Sequence, residues 1–107
     1  GCKRLAILNL GHTRLTDRGL VDVGEMQGLR SLELMDTQVT DAGVVHLAKM
    51  KNLVDLDLTR TKISDACVGE LKKMTQLRIL GIIDTRLSSR AIAELTKALP
   101  DTVVMGK

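Results

Sequence analysis

The sequence predicts an α/β solenoid: a right-handed coil with a parallel sheet on its concave face and helices on its convex face. Three observations carry this reading. The chain repeats itself every 24 residues without insertion or deletion, the mark of stacked units too thin to bury a core alone. Each unit opens on alternating apolar residues and continues with apolar residues three apart, a strand period followed by a helical one. The apolar set holds no Phe, Tyr or Trp, which suits layers that offer the same small slot in every turn. The 107 residues read as one domain, 1–107, with complete units at 5–28, 29–52, 53–76 and 77–100 and partial units at both ends.

The strand comes first in each unit. Its apolar columns are Leu5/Leu29/Leu53/Leu77, Leu8/Leu32/Leu56/Leu80, Leu10/Leu34/Leu58/Ile82 and Leu15/Val39/Ile63/Leu87. The period of two around the fourth and sixth positions marks a short strand with one buried face. The ninth position is always Thr: Thr13, Thr37, Thr61 and Thr85. A buried hydroxyl there is expected to bond the neighbouring turn's backbone where the chain leaves the strand.

The helix follows. Thr16, Thr40, Ser64 and Ser88 are N-cap residues, and Asp17, Asp41 and Asp65 place negative charge in the first turn, where the helix dipole favours it. Gly19, Gly43, Cys67 and Ala91 form a column of small residues, predicting a helix that lies close to the sheet. Leu20/Val44/Val68/Ile92, Val23/Leu47/Leu71/Leu95 and Met26/Met50/Met74/Ala98 recur at spacing three and are assigned to one helical face.

The pattern LxxLxLxxTxLTDxGLxxLxxM resembles the leucine-rich repeat, with Thr where Asn or Cys is usual. The TD-x-G-L run is similar to bacterial repeats of the ribonuclease-inhibitor-like superfamily and to those of F-box adaptor proteins. The likeness runs over residues 5–100. It departs in the last unit, which has Ser89 for Asp, Ala91 for Gly and Gly81 in its strand. The resemblance implies a binding scaffold and names no partner.

At the N-terminal edge, Cys2 falls in the Met26/Met50/Met74 column, so residues 1–4 read as the tail of a preceding unit. No polar cap precedes the first strand, and such arrays need one. A longer native array is expected, or else self-association through the uncapped edge.

The remaining chemistry is sparse. Cys2 and Cys67 stand almost three turns apart, about twice disulfide reach at roughly 5 Å per turn. Both are assigned to packing, and unpaired thiols favour a reducing compartment, hence the cytoplasm. His46 shares an exposed helix column with Asp22, Glu70 and Glu94. His12, Asp36, Arg60 and Asp84 share a column on the strand side, predicted to alternate in charge from strand to strand and hold the turns in register. No nucleophile or oxyanion hole accompanies the His12–Asp36 pair, so no catalytic residue and no enzyme is expected.

The outward positions of the strands carry the variation. Glu33, Asp55 and Asp57 make an acidic centre with Asp36 at its rim. Ile79, Ile83 and Val103 make an apolar end, and Arg14, Lys62 and Arg86 a basic loop edge. A flat sheet supplies poorly the roughly six to eight oxygens that Ca²⁺ takes, and no metal or cofactor is expected. The net charge of +3 comes from interspersed residues, no aromatic is present to stack a base, and no apolar run reaches membrane-spanning length, so neither nucleic acid nor a membrane is expected. The expectation is a non-catalytic scaffold that binds a protein partner through Glu33, Met35, Asp36, Asp55, Asp57, Ile79 and Ile83. The alternative is a regulatory or targeting segment of a larger enzyme or receptor.

Overall fold

The computed structural model describes residues 6–106. Five strands of three residues each, β1 (Ile7–Asn9), β2 (Ser31–Glu33), β3 (Asp55–Asp57), β4 (Ile79–Gly81) and β5 (Val103–Met105), form one parallel sheet in chain order. The register matches each unit to the next, running Leu8, Leu32, Leu56, Leu80 and Val104. Helices α1 (Asp17–Val23), α2 (Asp41–Leu47), α3 (Val68–Leu71) and α4 (Ser89–Ala98) return the chain along the convex side. A strand, a helical crossover and a parallel neighbouring strand close right-handed. No described helix is long and apolar enough to cross a membrane.

The core is the aliphatic layer between sheet and helices. Leu32, Leu34, Leu56, Leu58, Leu80 and Ile82 are at most 1% exposed, and Leu47, Leu71 and Leu95 meet them fully buried from the helices. In the first turn Leu8, Leu10 and Leu15 are only partly buried. Leu5 and Cys2 lie outside the described residues.

The caps form where the sequence places them. Thr40, Ser64 and Ser88 accept the N–H of Ala42, Ala66 and Ala91, whereas Thr16 makes no side-chain cap bond. The first-turn aspartates do more than face a dipole. Asp41 takes the Ser64 N–H at 2.7 Å and the Ser64 hydroxyl at 2.5 Å, and Asp65 takes both from Ser88 at 2.8 Å. Asp17 holds Thr40 in the same way, with the N–H at 2.7 Å and the hydroxyl on its other oxygen. Each aspartate therefore fastens the N-cap of the following turn. On the far side of the helices, Asn52 Nδ2 donates to the Gln27 carbonyl at 2.7 Å and Gln76 Nε2 to that of Met50 at 3.1 Å.

Four local expectations change. The threonine hydroxyls bond their own turn, not the next: Thr13, Thr37, Thr61 and Thr85 donate to the carbonyls of Leu10, Leu34, Leu58 and Ile82 at 2.7 to 2.9 Å. The residue three back is nearer than any neighbouring turn, so the hydroxyl closes a local turn. At Gly43 the small column faces the preceding helix, because a Cβ there would stand 2.5 Å from Asp17 Oδ1 and 2.7 Å from Leu20 Cδ1, whereas at Gly19 a Cβ would meet Leu15 of its own turn at 2.5 Å. Where that column holds Cys67, the segment starts as a 3-10 turn, Asp65–Cys67, and only then becomes α3. The methionine column lies beyond the helix ends, in the return turns. Met50 and Met74 are buried there, but Met26 is 42% exposed.

Candidate concave-face binding site

The outward rows of the sheet read Ile7, Ser31, Asp55, Ile79, Val103 and Asn9, Glu33, Asp57, Gly81, Met105 across the five strands. At the middle of this face lies a shallow concavity of about 170 Å³, lined by Glu33, Asp55, Asp57, Ile79, Gly81 and Met105 over a floor that includes Leu32 and Leu56. Its three carboxylates are half-buried. The ion pairs among the described residues are His12–Asp36, Lys72–Glu94 and Lys73–Glu70, so none of them neutralises Glu33, Asp55 or Asp57. The apolar wall is open to solvent, with Ile79 42%, Met105 49% and Val103 62% exposed.

Asp57 stands at the junction of the two halves. Its Oδ1 accepts the Thr59 N–H at 3.0 Å, turning the chain out of β3 as Asn9 does out of β1. A Cβ at Gly81, its register partner, would lie 2.6 Å from that oxygen. Glycine in β4 therefore gives the Asp57 carboxylate its room and keeps it beside Ile79 and Met105.

Immediately past the strands the chain takes a left-handed turn in every unit, at His12, Asp36, Arg60 and Asp84, with φ between 56° and 60°. At three of the four, this conformation aims the backbone N–H at the next turn. His12, Asp36 and Arg60 donate to the carbonyls of Met35, Thr59 and Ile83 at 2.8 to 2.9 Å. The charge ladder expected in this column forms at one rung, where His12 Nδ1 meets Asp36 Oδ2 at 3.0 Å on an exposed rim. Arg60 makes no ion pair with the aspartate on either side.

A sequence model described as Leucine Rich repeat matches residues 27–48. Among solved structures, an internalin from Listeria monocytogenes aligns over 94% of this chain with a TM-score of 0.56 at 18% identity. The chain has the fold of a leucine-rich-repeat solenoid. It spans 41% of that internalin's length, and at this identity the likeness speaks to the fold alone. An internalin C2 from the same species aligns over 92% of this chain and 69% of its own, at 17% identity and a TM-score of 0.35 that carries no argument. No curated protein matches the sequence.

Within the leucine-rich-repeat frame the seven expected contact residues divide. Glu33, Asp55, Asp57 and Ile79 come together around the concavity. Met35, Asp36 and Ile83 follow the strands and do not line it. Ile83 is half-buried, and its carbonyl accepts the Arg60 N–H of the preceding turn. Met35 lies against Gly11, where a Cβ would meet its Cγ at 3.0 Å. Sequence reasoning missed Met105, although the repeat period places it in the same outward row as Glu33 and Asp57.

Cys67 lies in the core. It is 1% exposed, and burial first, then the nearby Asp41 carboxylate, push its thiol up to about 12. Such a thiol is neither a nucleophile nor a metal ligand at neutral pH. Among the described residues, no three His, Cys, Asp or Glu side chains group closely enough to hold a metal ion.

Proposed function

We propose that this leucine-rich-repeat chain is a non-catalytic protein-interaction scaffold that receives its partner on the concave sheet face. The observation that carries the reading is the continuity of exposed Ile79, Val103 and Met105 with the acidic concavity on one open face. Single exposed aliphatics are ordinary, but a contiguous apolar strip on a sheet marks a surface awaiting a partner. Apolar anchors supply most interface energy, and surrounding charges set the rate and choice of encounter. The acidic centre and the absence of aromatics favour protein over nucleic acid as the ligand. The match to 41% of the internalin's length supports a second reading, in which the same surface serves a larger protein whose chemistry lies elsewhere.

The test is photo-crosslinking in extract of the cell that makes the protein. A benzophenone amino acid placed at Ser31, in the concavity, is expected to form protein adducts. The same group at Ala93, exposed on α4, is expected to form none. Adducts from Ala93 with none from Ser31 would move the binding surface to the helices.

A further inference from the structure

Resting on the concave-face reading, we infer that the partner's contact segment is an extended peptide with an Arg or Lys two residues from a Leu, Ile, Val or Met. The cation is called for by charge. Glu33 and Asp55 stand half-buried in one concavity, and no cationic side chain among the described residues is paired to them. A metal ion is a poor occupant, since the described residues offer no cluster able to hold one. A guanidinium or ammonium matches half-buried carboxylates without needing a coordination cage. The aliphatic side chain is called for by the open wall of Ile79 and Met105 directly beside them.

Spacing follows from the sheet. The carboxylates sit on β2 and β3 and the apolar wall on β4 and β5, so their centres lie two strand intervals apart, about 9.6 Å. In an extended peptide crossing the strands, side chains on one face recur every second residue, about 6.7 Å. A long Arg or Lys leaning away from its aliphatic neighbour covers the difference. The next same-face position, about 13 Å away, overshoots it. Asp57 contributes charge, but it also turns the chain at Thr59, so it is left intact in the test.

A displayed library of random peptides is panned against the intact chain, and the enriched peptides are synthesised and titrated into three folded proteins: the parent, the Glu33→Gln/Asp55→Asn variant and Ile79→Ser. Circular dichroism verifies the fold of each. Enrichment of a cation two positions from an aliphatic is expected, with binding that weakens as salt rises and falls about tenfold in each variant. Peptides lost on Ile79→Ser but indifferent to Glu33→Gln/Asp55→Asn overturn the cation while leaving concave-face binding standing. Peptides indifferent to both variants, or no enrichment at all, overturn the inference and count against the concave face as well.

Discussion

At the level of single residues, the eighth position of each repeat is where backbone and side chain disagree. A non-glycine residue in the left-handed region costs roughly 1 to 2 kcal/mol, and asparagine and aspartate bear it best. Asp36 and Asp84 meet this demand, whereas Arg60 takes φ 57° with an exposed, unpaired side chain. Arg60→Asn is therefore expected to stabilise the chain by up to about 1 kcal/mol, visible as a rise of several degrees in Tm. Arg60→Val should lower it, and a fall for both would mean that the arginine side chain contributes more than its backbone costs. The sequence shows little of this turn, because no glycine marks it and Arg60 is not of a type that favours it. Cys67 gives a second residue-scale expectation. Its folded thiol is held near 12 against an ordinary value of 9.0, so the folded state keeps a proton that the unfolded chain gives up. Stability is unaffected below about pH 9 and declines as pH rises from there toward 12. From about pH 8 to pH 10.5 the urea midpoint should fall further in the parent than in Cys67→Ala, beyond the constant offset that the truncation itself introduces. Parallel losses would mean that the Cys67 thiol does not carry the alkaline effect.

Between elements, the strongest polar joint is the aspartate that opens each helix and clasps the N-cap of the next turn. Asp41 is half-buried and receives both the N–H and the hydroxyl of Ser64. Asp41→Ala leaves that N–H without its charged acceptor and should cost about 2 to 3 kcal/mol. Asp41→Asn, which keeps one acceptor oxygen, should cost distinctly less, and equal losses in chemical denaturation would show that the charge rather than the hydrogen-bond geometry is what matters. Asp65 makes the same clasp at the surface, and the Ser88 N–H, then the Ser88 hydroxyl, hold its carboxyl below the usual 3.8. Its share of stability is complete above that value and is lost as pH falls through the lowered one. The recurring Thr-Asp and Ser-Asp pairs were visible in the sequence as caps and first-turn acids, since both roles are local. Their joining across turns was not, because it depends on how far apart consecutive helices stack, a distance that Gly43 sets by admitting Asp17 and Leu20. Ser89 in the last repeat marks where the clasp stops, and there α4 runs to 10 residues.

On the scale of the whole molecule, a repeat array owes its stability to each turn plus the interface between neighbours. The 24-residue period makes nearly all of this fold legible, because one register places every core column at once. The candidate concave site was legible in part: Glu33, Asp55, Asp57 and Ile79 follow from strand alternation, while Ile83 lies past the end of β4, where alternation no longer applies. The two ends of the described chain differ. The first turn has partly buried Leu8, Leu10 and Leu15 and no side-chain cap at Thr16. The last turn has Leu95 and Leu99 at most 2% exposed, and the Thr102 hydroxyl reaches across to the Leu77 carbonyl at 2.6 Å. Opening the first turn therefore exposes less apolar surface than opening the last, and it breaks one clasp where a central turn breaks two. Native-state hydrogen exchange is expected to be fastest over residues 6–28 and slowest at the central strand segments around Leu32 and Leu56. Two truncations probe the same coupling. Leu56→Ala removes a side chain 1% exposed between two neighbouring turns and should cost about 2 to 5 kcal/mol, raising exchange throughout the array. Leu10→Ala removes the same atoms from a half-buried site, so it should accelerate exchange over 6–28 and leave the amides around Leu56 near their parent rates. If Leu10→Ala raises exchange as widely as Leu56→Ala does, the turns open as a single cooperative unit and the first one does not fray on its own.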